Sequence, residues 1–245
     1  MNRKGSIHIG TSGWHYQHWK GSFYPREMRS RDFLEYYADR FRTVEINNTF
    51  YQIPDTETLK IWSTTVPEGF IFAVKASRFI THIKRLKDPK EPVSTFLDRV
   101  EALGSTLGPV LFQLPPRWRS NLERLDAFLD TLPVNHRYAF EFRDPRWFNE
   151  GVYHALEKRN AAFCIFDLNG SISPKEITAD FVYIRLHGPG GPYEGSYKTE
   201  ELAGWAGALS TWSKGGRTVY CYFDNDQAGY AARNALRLQS MIQGG

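Results

Sequence analysis

The sequence predicts a (β/α)8 barrel that occupies residues 1–245 as a single domain. Eight short apolar runs of strand length follow one another along the chain, and helix-like or looped segments separate them. Several of these runs end in a polar or charged residue. The chain has 245 residues, close to the usual barrel size of about 250 residues. The eight predicted strands are residues 7–11, 43–49, 70–77, 110–115, 137–143, 161–168, 181–187 and 218–224.

The segments between the strands carry the sequence signals of helices that pack on a sheet. Apolar side chains recur on one face of most of these segments at helical spacing. Ser30 is a suitable N-cap for the first helix, and Asp55 or Thr56 for the second. The sixth connection, residues 169–179, leaves room only for a short or irregular helix. The other predicted helices are residues 30–41, 55–66, 92–104, 121–132, 147–159, 200–212 and 226–242.

The composition indicates a globular protein that works away from membranes. Hydrophobic residues make up 41% of the chain and aromatic residues 15%, which is enough for a large core. No apolar leader follows Met1 and no run of about 18 apolar residues occurs, so we expect a cytoplasmic location and no membrane partner. The formal net charge of +4 is mildly basic and favours anionic ligands only slightly.

Two cysteines, Cys164 and Cys221, fall in the sixth and eighth predicted strands. These strands are not neighbours in a barrel, so we expect no disulfide between them. Both side chains are expected on the side of the barrel that faces the helices. We interpret them as small buried apolar residues rather than nucleophiles.

Strand alternation predicts that polar strand ends point into the barrel. In the seventh strand, Val182, Ile184 and Leu186 form an apolar face that must pack against helices. Arg185 and His187 are therefore left inside. The same reasoning predicts a polar set at the C-terminal mouth, where barrels hold their active sites. Its members are Glu45, Asn47, Lys75, Gln113, Glu141, Arg143, Asp167, Arg185, His187, Tyr222 and Asp224.

This polar set either forms an internal network or binds a ligand. Burying unpaired charge is costly, so these groups must neutralise one another or meet a charged partner. The set holds four carboxylates, two guanidinium groups, one amine and one imidazole, which is near charge balance. One explanation is an ion-pair network that only specifies the barrel, and the other is an active site.

Our leading hypothesis is an enzyme, a hydrolase or lyase, that acts on a small or extended anionic substrate, above all a phosphate ester, by acid/base chemistry without a metal ion. Glu141 or Glu45 would be the base and His187 the acid. Arg143 and Arg185 would bind the anion, because the planar guanidinium group matches phosphate geometry. These cationic side chains argue against a metal ion, and we predict no cofactor.

Lys75 is a further catalytic candidate. It would act as a Schiff-base or proton-transfer lysine if burial lowers its pKa, and otherwise as a fixed counter-ion. Trp14 opens an aromatic loop, residues 13–25, that could stack on a substrate or pack on the barrel as a lid. The predicted substrate-binding residues, apart from the two arginines, are Trp14, Asn47, Gln113, Asp167, Tyr222 and Asp224.

Two other functions remain open from the residues alone. The basic charge, the aromatic loop and a basic stretch at residues 84–90 are compatible with a nucleic-acid-binding protein or nuclease. A glycoside hydrolase would need two carboxyl groups that face each other across a sugar. The expected partner is a small anionic ligand or a nucleic acid, and the oligomeric state stays open.

Seven segments in chain order resemble the YecE-like family, the domain of unknown function seventy-two. The resemblance spans nearly the whole chain. It implies a TIM-type barrel, in agreement with the strand count, and it brings no established activity. The segments are IGTSGW at 9–14, VEINNTFY at 44–51, FAVK at 72–75, FQLPP at 112–116, EFR at 141–143, RLHG at 185–188 and YFDND at 222–226.

Overall fold

Strands and helices alternate along the chain in a computed structural model that describes residues 4–244. The strands are β1 (Ile7–Thr11), β2 (Thr43–Ile46), β3 (Ile71–Lys75), β4 (Leu107–Gln113), β5 (Tyr138–Glu141), β6 (Ala162–Leu168), β7 (Ser171–Ile172), β8 (Phe181–Leu186) and β9 (Thr218–Phe223). The α-helices are α1 (Phe33–Ala38), α2 (Thr56–Thr65), α3 (Lys90–Val100), α4 (Leu122–Leu129), α5 (Glu150–Lys158), α6 (Thr199–Lys214) and α7 (Tyr230–Gln243). The predicted domain boundaries also include residues 1–3 and 245, which lie outside the described residues. None of the helices within residues 4–244 is both long and apolar enough to cross a lipid bilayer.

Eight of the strands form a parallel barrel. Their spatial order is β2, β3, β4, β5, β6, β8, β9 and β1, and neighbours in this order pair in parallel. A parallel bridge between Ser12 and Glu45 joins β1 to β2 and closes the ring. The predicted (β/α)8 fold is therefore confirmed. The C-terminal ends of the eight strands meet at one end of the barrel, which we call the mouth.

The sixth connection forms a hairpin where the sequence left room only for a short or irregular helix. Strand β7 runs antiparallel to β6 and pairs Ser171 with Leu168. Asn169 and Gly170 join the two strands with φ angles of +56° and +71°. Two positive φ angles are what a tight type I′ hairpin turn requires, and Asn-Gly is its most favourable sequence. This local signal explains the strand.

Large side chains from one half of the wall fill the barrel interior. Tyr183 and Tyr222 extend inward from β8 and β9, and they face small residues on β3, β5 and β6. These small residues are Ala73, Ala139 and Ala162. Tyr222, predicted to bind substrate, is fully buried, and its hydroxyl oxygen lies 2.8 Å from Oγ1 of Thr43 at the start of β2. Its hydroxyl group thus points away from the mouth.

The aromatic loop after β1 packs onto the barrel. Trp19 and Tyr24 are almost completely buried, and the ring of Tyr24 stacks on Phe33 with centroids 4.0 Å apart. The indole N–H of Trp19 donates to the carbonyl oxygen of Asp226 at 3.0 Å. This bond ties the loop after β1 to the loop after β9. Most of this loop therefore packs on the barrel, which was one of the two roles considered for it; the other was stacking on a substrate.

Candidate functional site

Arg185 lies at the centre of the barrel, below the mouth, and is fully buried. Its Nε and Nη2 donate to Glu45 at distances from 2.7 to 3.1 Å. Its Nη1 donates to Oε2 of Glu141 at 2.8 Å, and Nη2 also donates to Oδ2 of Asp224 at 2.9 Å. Burial alone would lower the pKa of Arg185, but the three carboxylates that surround its guanidinium group hold it well above its usual range. We call Arg185, Glu45, Glu141, Asp224, Arg143 and His187 the Arg185 network.

The carboxylate of Glu45 is saturated with donors. Besides Arg185, it accepts a hydrogen bond from the Tyr183 hydroxyl group at 2.6 Å and one from Oγ of Ser12 at 2.7 Å. The side chain is fully buried. The donors around this carboxylate hold its orientation and occupy most of its lone pairs.

Glu141 is held firmly in its ionised form. It pairs with Arg143 as well as with Arg185. Burial alone would raise the pKa of Glu141, but Arg143, Arg185 and His187 hold it well below its usual range. A general base works best when its pKa lies near the operating pH. Glu141 is therefore suited to hold Arg143 in place rather than to accept a proton.

His187 sits between a carboxylate and a guanidinium group. Its Nδ1 lies 2.9 Å from Oδ2 of Asp224, and its Nε2 lies 2.9 Å from Nη2 of Arg143. The same Nε2 also lies 3.4 Å from Oε1 of Glu141. His187 is fully buried. It therefore connects Asp224 to Arg143 and orients the Arg143 side chain, which also lies over the ring of Phe166.

Lys75 ends β3 and points into the mouth above this network. Its Nζ lies 4.3 Å from the centroid of the Phe50 ring. Within residues 4–244, no carboxylate oxygen comes within the 4.0 Å of Nζ that would define an ion pair. Burial, helped by the nearby charge of Arg185, lowers the pKa of Lys75 to about 8, although the carboxylates of the network oppose this shift. Lys75 is thus an amine that lacks a fixed counter-ion.

The loop after β3 adds further positive charge next to Lys75. The edge of the His82 ring packs on Phe50, with ring centroids 5.0 Å apart. Burial lowers the pKa of His82, and together with the charges of Lys75, Arg78, Arg85 and Arg143 it brings this pKa to about 4. These cations disfavour any additional positive charge at His82. This side of the mouth is therefore electropositive.

Two amide side chains at the mouth have acceptors without donors. Oδ1 of Asn47 and Oε1 of Gln113 are buried, and neither has a hydrogen-bond partner in the described part of the chain. Leaving a buried acceptor unsatisfied costs about 1–3 kcal/mol. Asn47 also lines a cavity of about 250 Å³ together with Trp14, Tyr16 and Trp62. Both amides are positioned to accept hydrogen bonds from a ligand.

Asp167, by contrast, does not belong to the mouth. The register of β6 against β8 pairs Asp167 with Leu186, whose side chain faces the helices, and pairs Phe166 with Arg185. The predicted inward orientation of Asp167 is therefore wrong. Both faces of β6 are apolar up to this residue, so the alternation of apolar and polar residues does not show which face points into the barrel.

The same register corrects the prediction for Cys164. This residue faces the barrel interior, and its Sγ lies 3.9 Å from Oε2 of Glu141. Cys221 packs on the helix side, as expected. Burial raises the pKa of the Cys164 thiol well above its usual range.

We expect no modification of either thiol by an aromatic disulfide reagent in the folded protein, and modification of both after denaturation. Fast labelling without denaturant would contradict this.

Without Asp167, the charges at the mouth and in the network balance. Three carboxylates, from Glu45, Glu141 and Asp224, face the guanidinium groups of Arg143 and Arg185 and the amine of Lys75. All three carboxylates converge on Arg185. A metal ion at their centre would have to displace that guanidinium group, which makes this set poorly suited to a metal.

Sequence reasoning missed several contributors to the site. Tyr183 has the same strand parity as Arg185, so its contact with Glu45 was accessible from alternation. Ser12 lies just beyond the end of β1, and only the closure of the barrel brings it to Glu45. Arg78 immediately precedes a short π-helical turn, Phe79–Ile83, and His82 lies within it; the turn is too short to give a periodic signal.

Comparison with known proteins identifies relatives of this chain. Residues 8–244 match the family described as protein of unknown function DUF72. The chain is 27% identical to the UPF0759 protein YunF of Bacillus subtilis (strain 168), and the match covers 96% of this chain and 94% of YunF. It is 32% identical to the UPF0759 protein YecE of Escherichia coli (strain K12) over 146 residues. That match covers 59% of this chain and 51% of YecE, so it spans about half the length of that relative.

Solved structures of similar proteins share the barrel. A DUF72 family protein from Thermotoga maritima MSB8 is 30% identical, with a TM-score of 0.89 and coverage of 97% of this chain and 99% of that one. A DUF72 family protein from Enterococcus faecalis V583 is 21% identical, with a TM-score of 0.80 and coverage of 97% and 95%. At that lower identity the likeness speaks for the fold alone.

Proposed function

This chain belongs to the DUF72 family of proteins of unknown function, and on that premise we propose that it is an enzyme acting on a small phosphate ester at the mouth of the barrel. The proposed reaction is a hydrolysis or an elimination that proceeds by acid/base chemistry without a metal ion. One observation carries the proposal: a partly buried amine, with no carboxylate of residues 4–244 within ion-pair distance, lies above a network whose charged groups are paired with one another. Lys75 has no carboxylate partner there, and further cations gather around His82.

The Arg185 network serves as the scaffold of the proposed site. The N–H groups of Arg185 donate to three carboxylates. We therefore assign the anion-binding role expected for Arg185 to other residues. The carboxylates of Glu45 and Glu141 are likewise occupied by hydrogen bonds, so we assign the acid/base role to another group. A buried, fully paired network of this kind fixes the orientation of the side chains above it.

Lys75 is the proposed acid/base group. With a pKa of about 8, its amine exists in both protonation states near neutral pH. The ammonium form can hold a phosphate oxygen or give a proton to a leaving group, and the neutral amine can take a proton. The face of the Phe50 ring lies against the amine and favours its charged form.

Arg143 is the proposed contact for the phosphate group. It is the guanidinium group of the network with remaining exposure, and its side chain is 9% exposed. Glu141 and His187 orient it from below, which makes both of them positioning residues in this proposal. A guanidinium group fixed in this way can bind two phosphate oxygens without losing side-chain freedom on binding.

The rest of the substrate is proposed to carry hydroxyl groups. Asn47 and Gln113 each present a buried acceptor that lacks a donor, and a hydroxyl group would supply one. The adjoining cavity has aromatic walls from Trp14 and Trp62, which suit the apolar face of a sugar ring. A sugar phosphate combines these features with the charge that Lys75 and Arg143 favour.

Thermal unfolding in the presence of ligands tests this proposal. We expect inorganic phosphate and a hexose phosphate to stabilise the wild type, by roughly 2.7 kcal/mol at about 100 times the dissociation constant. Lys75→Gln should weaken phosphate binding by at least about 10-fold, because it removes the unpaired cation. Lys214→Gln, at the end of α6 on an exposed site, is the matched control and should bind phosphate as the wild type does.

Other outcomes favour the two alternatives. Stabilisation by a short oligonucleotide that exceeds the effect of phosphate and weakens steeply with salt would indicate a nucleic-acid-binding protein or nuclease. Stabilisation by a neutral sugar alone would favour a glycoside hydrolase. The absence of any effect of phosphate or hexose phosphate, or an equal effect in Lys75→Gln, would contradict the proposal.

A further inference from the structure

A second cavity lies outside the barrel, on the face of β6 that points toward the helices. It has a volume of about 210 Å³ and is enclosed by the connection between β6 and β8 on one side and by helix α6 on the other. Its lining residues include Asp167, Lys175, Glu201, Gly204 and Trp205. None of them takes part in the site at the mouth, so this cavity needs its own explanation.

The carboxylate of Asp167 is the main unexplained group in this cavity. The residue is only 4% exposed. Its Oδ1 is buried and has no hydrogen-bond partner among residues 4–244. A buried carboxylate oxygen without a donor is unfavourable, and a native structure normally provides a donor from the protein, from water or from a ligand. Burial raises the pKa of Asp167, and hydrogen bonds from the Tyr197 hydroxyl group and the Gly170 backbone N–H offset this effect only in part.

The opposite wall of the cavity presents an aromatic face to a cation. Trp205 is buried, and Nζ of Lys175 lies 4.8 Å from the centroid of its ring. The face of an indole ring attracts ammonium groups. Lys175 makes no ion pair with Asp167 in the described residues, so its amine occupies the ring without neutralising the carboxylate.

Negative charge and open space complete the arrangement. Glu201 lies at the edge of the cavity, where its Oε2 accepts a hydrogen bond from the backbone N–H of Lys198 at 2.7 Å. Gly204 contributes no side chain, and a Cβ atom placed on it would meet no atom within 4 Å. The cavity therefore extends to the backbone of α6 beside Trp205.

From these four features we propose that the cavity binds the alkylammonium group of a small organic cation. An N–H of the ligand would donate to Oδ1 of Asp167, and its positive charge would lie against the indole face of Trp205. In the free protein the amine of Lys175 lies against this face of the Trp205 ring, and the ligand would displace it. A metal ion is a poorer match, because Mg²⁺ and Ca²⁺ need six or more oxygen ligands and one wall is an aromatic ring.

Titration with ethylammonium chloride tests the proposal, with sodium chloride replacing it to keep the ionic strength constant. The readout is the NMR chemical shift of the Trp205 indole N–H. We expect a saturable shift in the wild type and binding that is about 3- to 10-fold tighter in Lys175→Gln, which lacks the internal competitor. Asp167→Asn should bind at least about 10-fold more weakly. Tetramethylammonium, which has no N–H to donate, should also bind more weakly.

Substitution of Gly204 provides a variant that should fold normally. Gly204→Leu fills the cavity from an exposed helical position, and replacing a helical glycine raises helix propensity by about 1 kcal/mol. Gly207→Leu makes the same change on the same helix, at an exposed residue that does not line the cavity. We expect Gly204→Leu to lose ethylammonium binding and Gly207→Leu to keep it.

Three results would overturn the proposal. One is the absence of a saturable shift in both the wild type and Lys175→Gln. Another is wild-type affinity in Gly204→Leu, which would place the binding elsewhere. The third is equal binding of tetramethylammonium and ethylammonium together with no effect of Asp167→Asn, which would remove the role of the carboxylate.

Discussion

Replacing Arg185 with methionine should lower the free energy of unfolding by at least about 3–5 kcal/mol, because it leaves three buried carboxylates without their shared cation. Proteins of this kind have a total stability of only about 5–15 kcal/mol. The loss would therefore be a large part of the whole. Urea denaturation of the wild type and of Arg185→Met at neutral pH measures it.

The pH dependence of this loss has a definite sign. Arg185 lowers the folded-state pKa of Glu141 and of Asp224. A lowered carboxyl pKa contributes stability above the unfolded value, near 4, and this contribution is lost as the pH falls through the folded value. The difference between the wild type and Arg185→Met should therefore shrink on acidification, because the unpaired carboxyl groups of the variant can then protonate.

Two further variants keep this prediction testable. Arg146→Met removes a surface arginine that pairs with Asp144 and is 48% exposed, so it should lower the free energy of unfolding much less than Arg185→Met does. Tyr183→Phe removes one hydrogen bond to Glu45 and should cost about 1–3 kcal/mol, even if Arg185→Met does not fold. Equal losses for the two arginine variants would mean that the Arg185 network contributes no more than a surface ion pair.

Lys75 should react with an amine reagent far faster than an ordinary lysine near neutral pH. Its pKa of about 8, against a usual 10.5, gives a neutral amine fraction at pH 7 that is about 300-fold larger. Competitive labelling at a series of pH values, read by mass spectrometry, measures this. The extent of labelling at Lys75 should rise with a midpoint near pH 8, whereas the exposed Lys214 should follow an ordinary lysine.

Phosphate should protect Lys75 from this labelling. A bound anion would neutralise the ammonium form, raise the pKa of Lys75 and cover its Nζ. The same phosphate should leave the labelling of Lys214 unchanged. Labelling of Lys75 that follows an ordinary lysine, with no effect of phosphate, would show that its charge is compensated in solution. It would also remove the proposed acid/base group.

The strands with one clearly apolar face were predictable from sequence. In β2, β5 and β8 the alternation of apolar and polar residues left a single orientation, and it placed Glu45, Glu141 and Arg185 correctly inside. The burial of apolar surface decides the orientation of such strands, because the opposite choice would expose their large side chains. The barrel itself was predictable from the eight strand-length apolar runs and from the length of the chain.

The orientation of β6 and the turn that follows it were harder to obtain. Both faces of β6 are apolar until Asp167, so a shift of one residue costs little apolar burial and the pattern cannot choose. The Asn169-Gly170 pair did carry a hairpin signal. That signal fixes the turn, but only the register with β8 shows that Asp167 lies on the outer face.

The sequence by itself determined the alternation of strands and helices, the barrel and most of the polar side chains that point into it, since these depend on periodicity and apolar burial. Only the tertiary structure decided which of these charges neutralise one another. Arg185 and Arg143 both point inward. Arg185 pairs with three carboxylates, whereas Arg143 pairs with Glu141 and reaches the mouth. Lys75 is left without a carboxylate. These outcomes depend on distances of a few ångströms between strands that are remote in sequence, and electrostatic energy changes steeply over such distances.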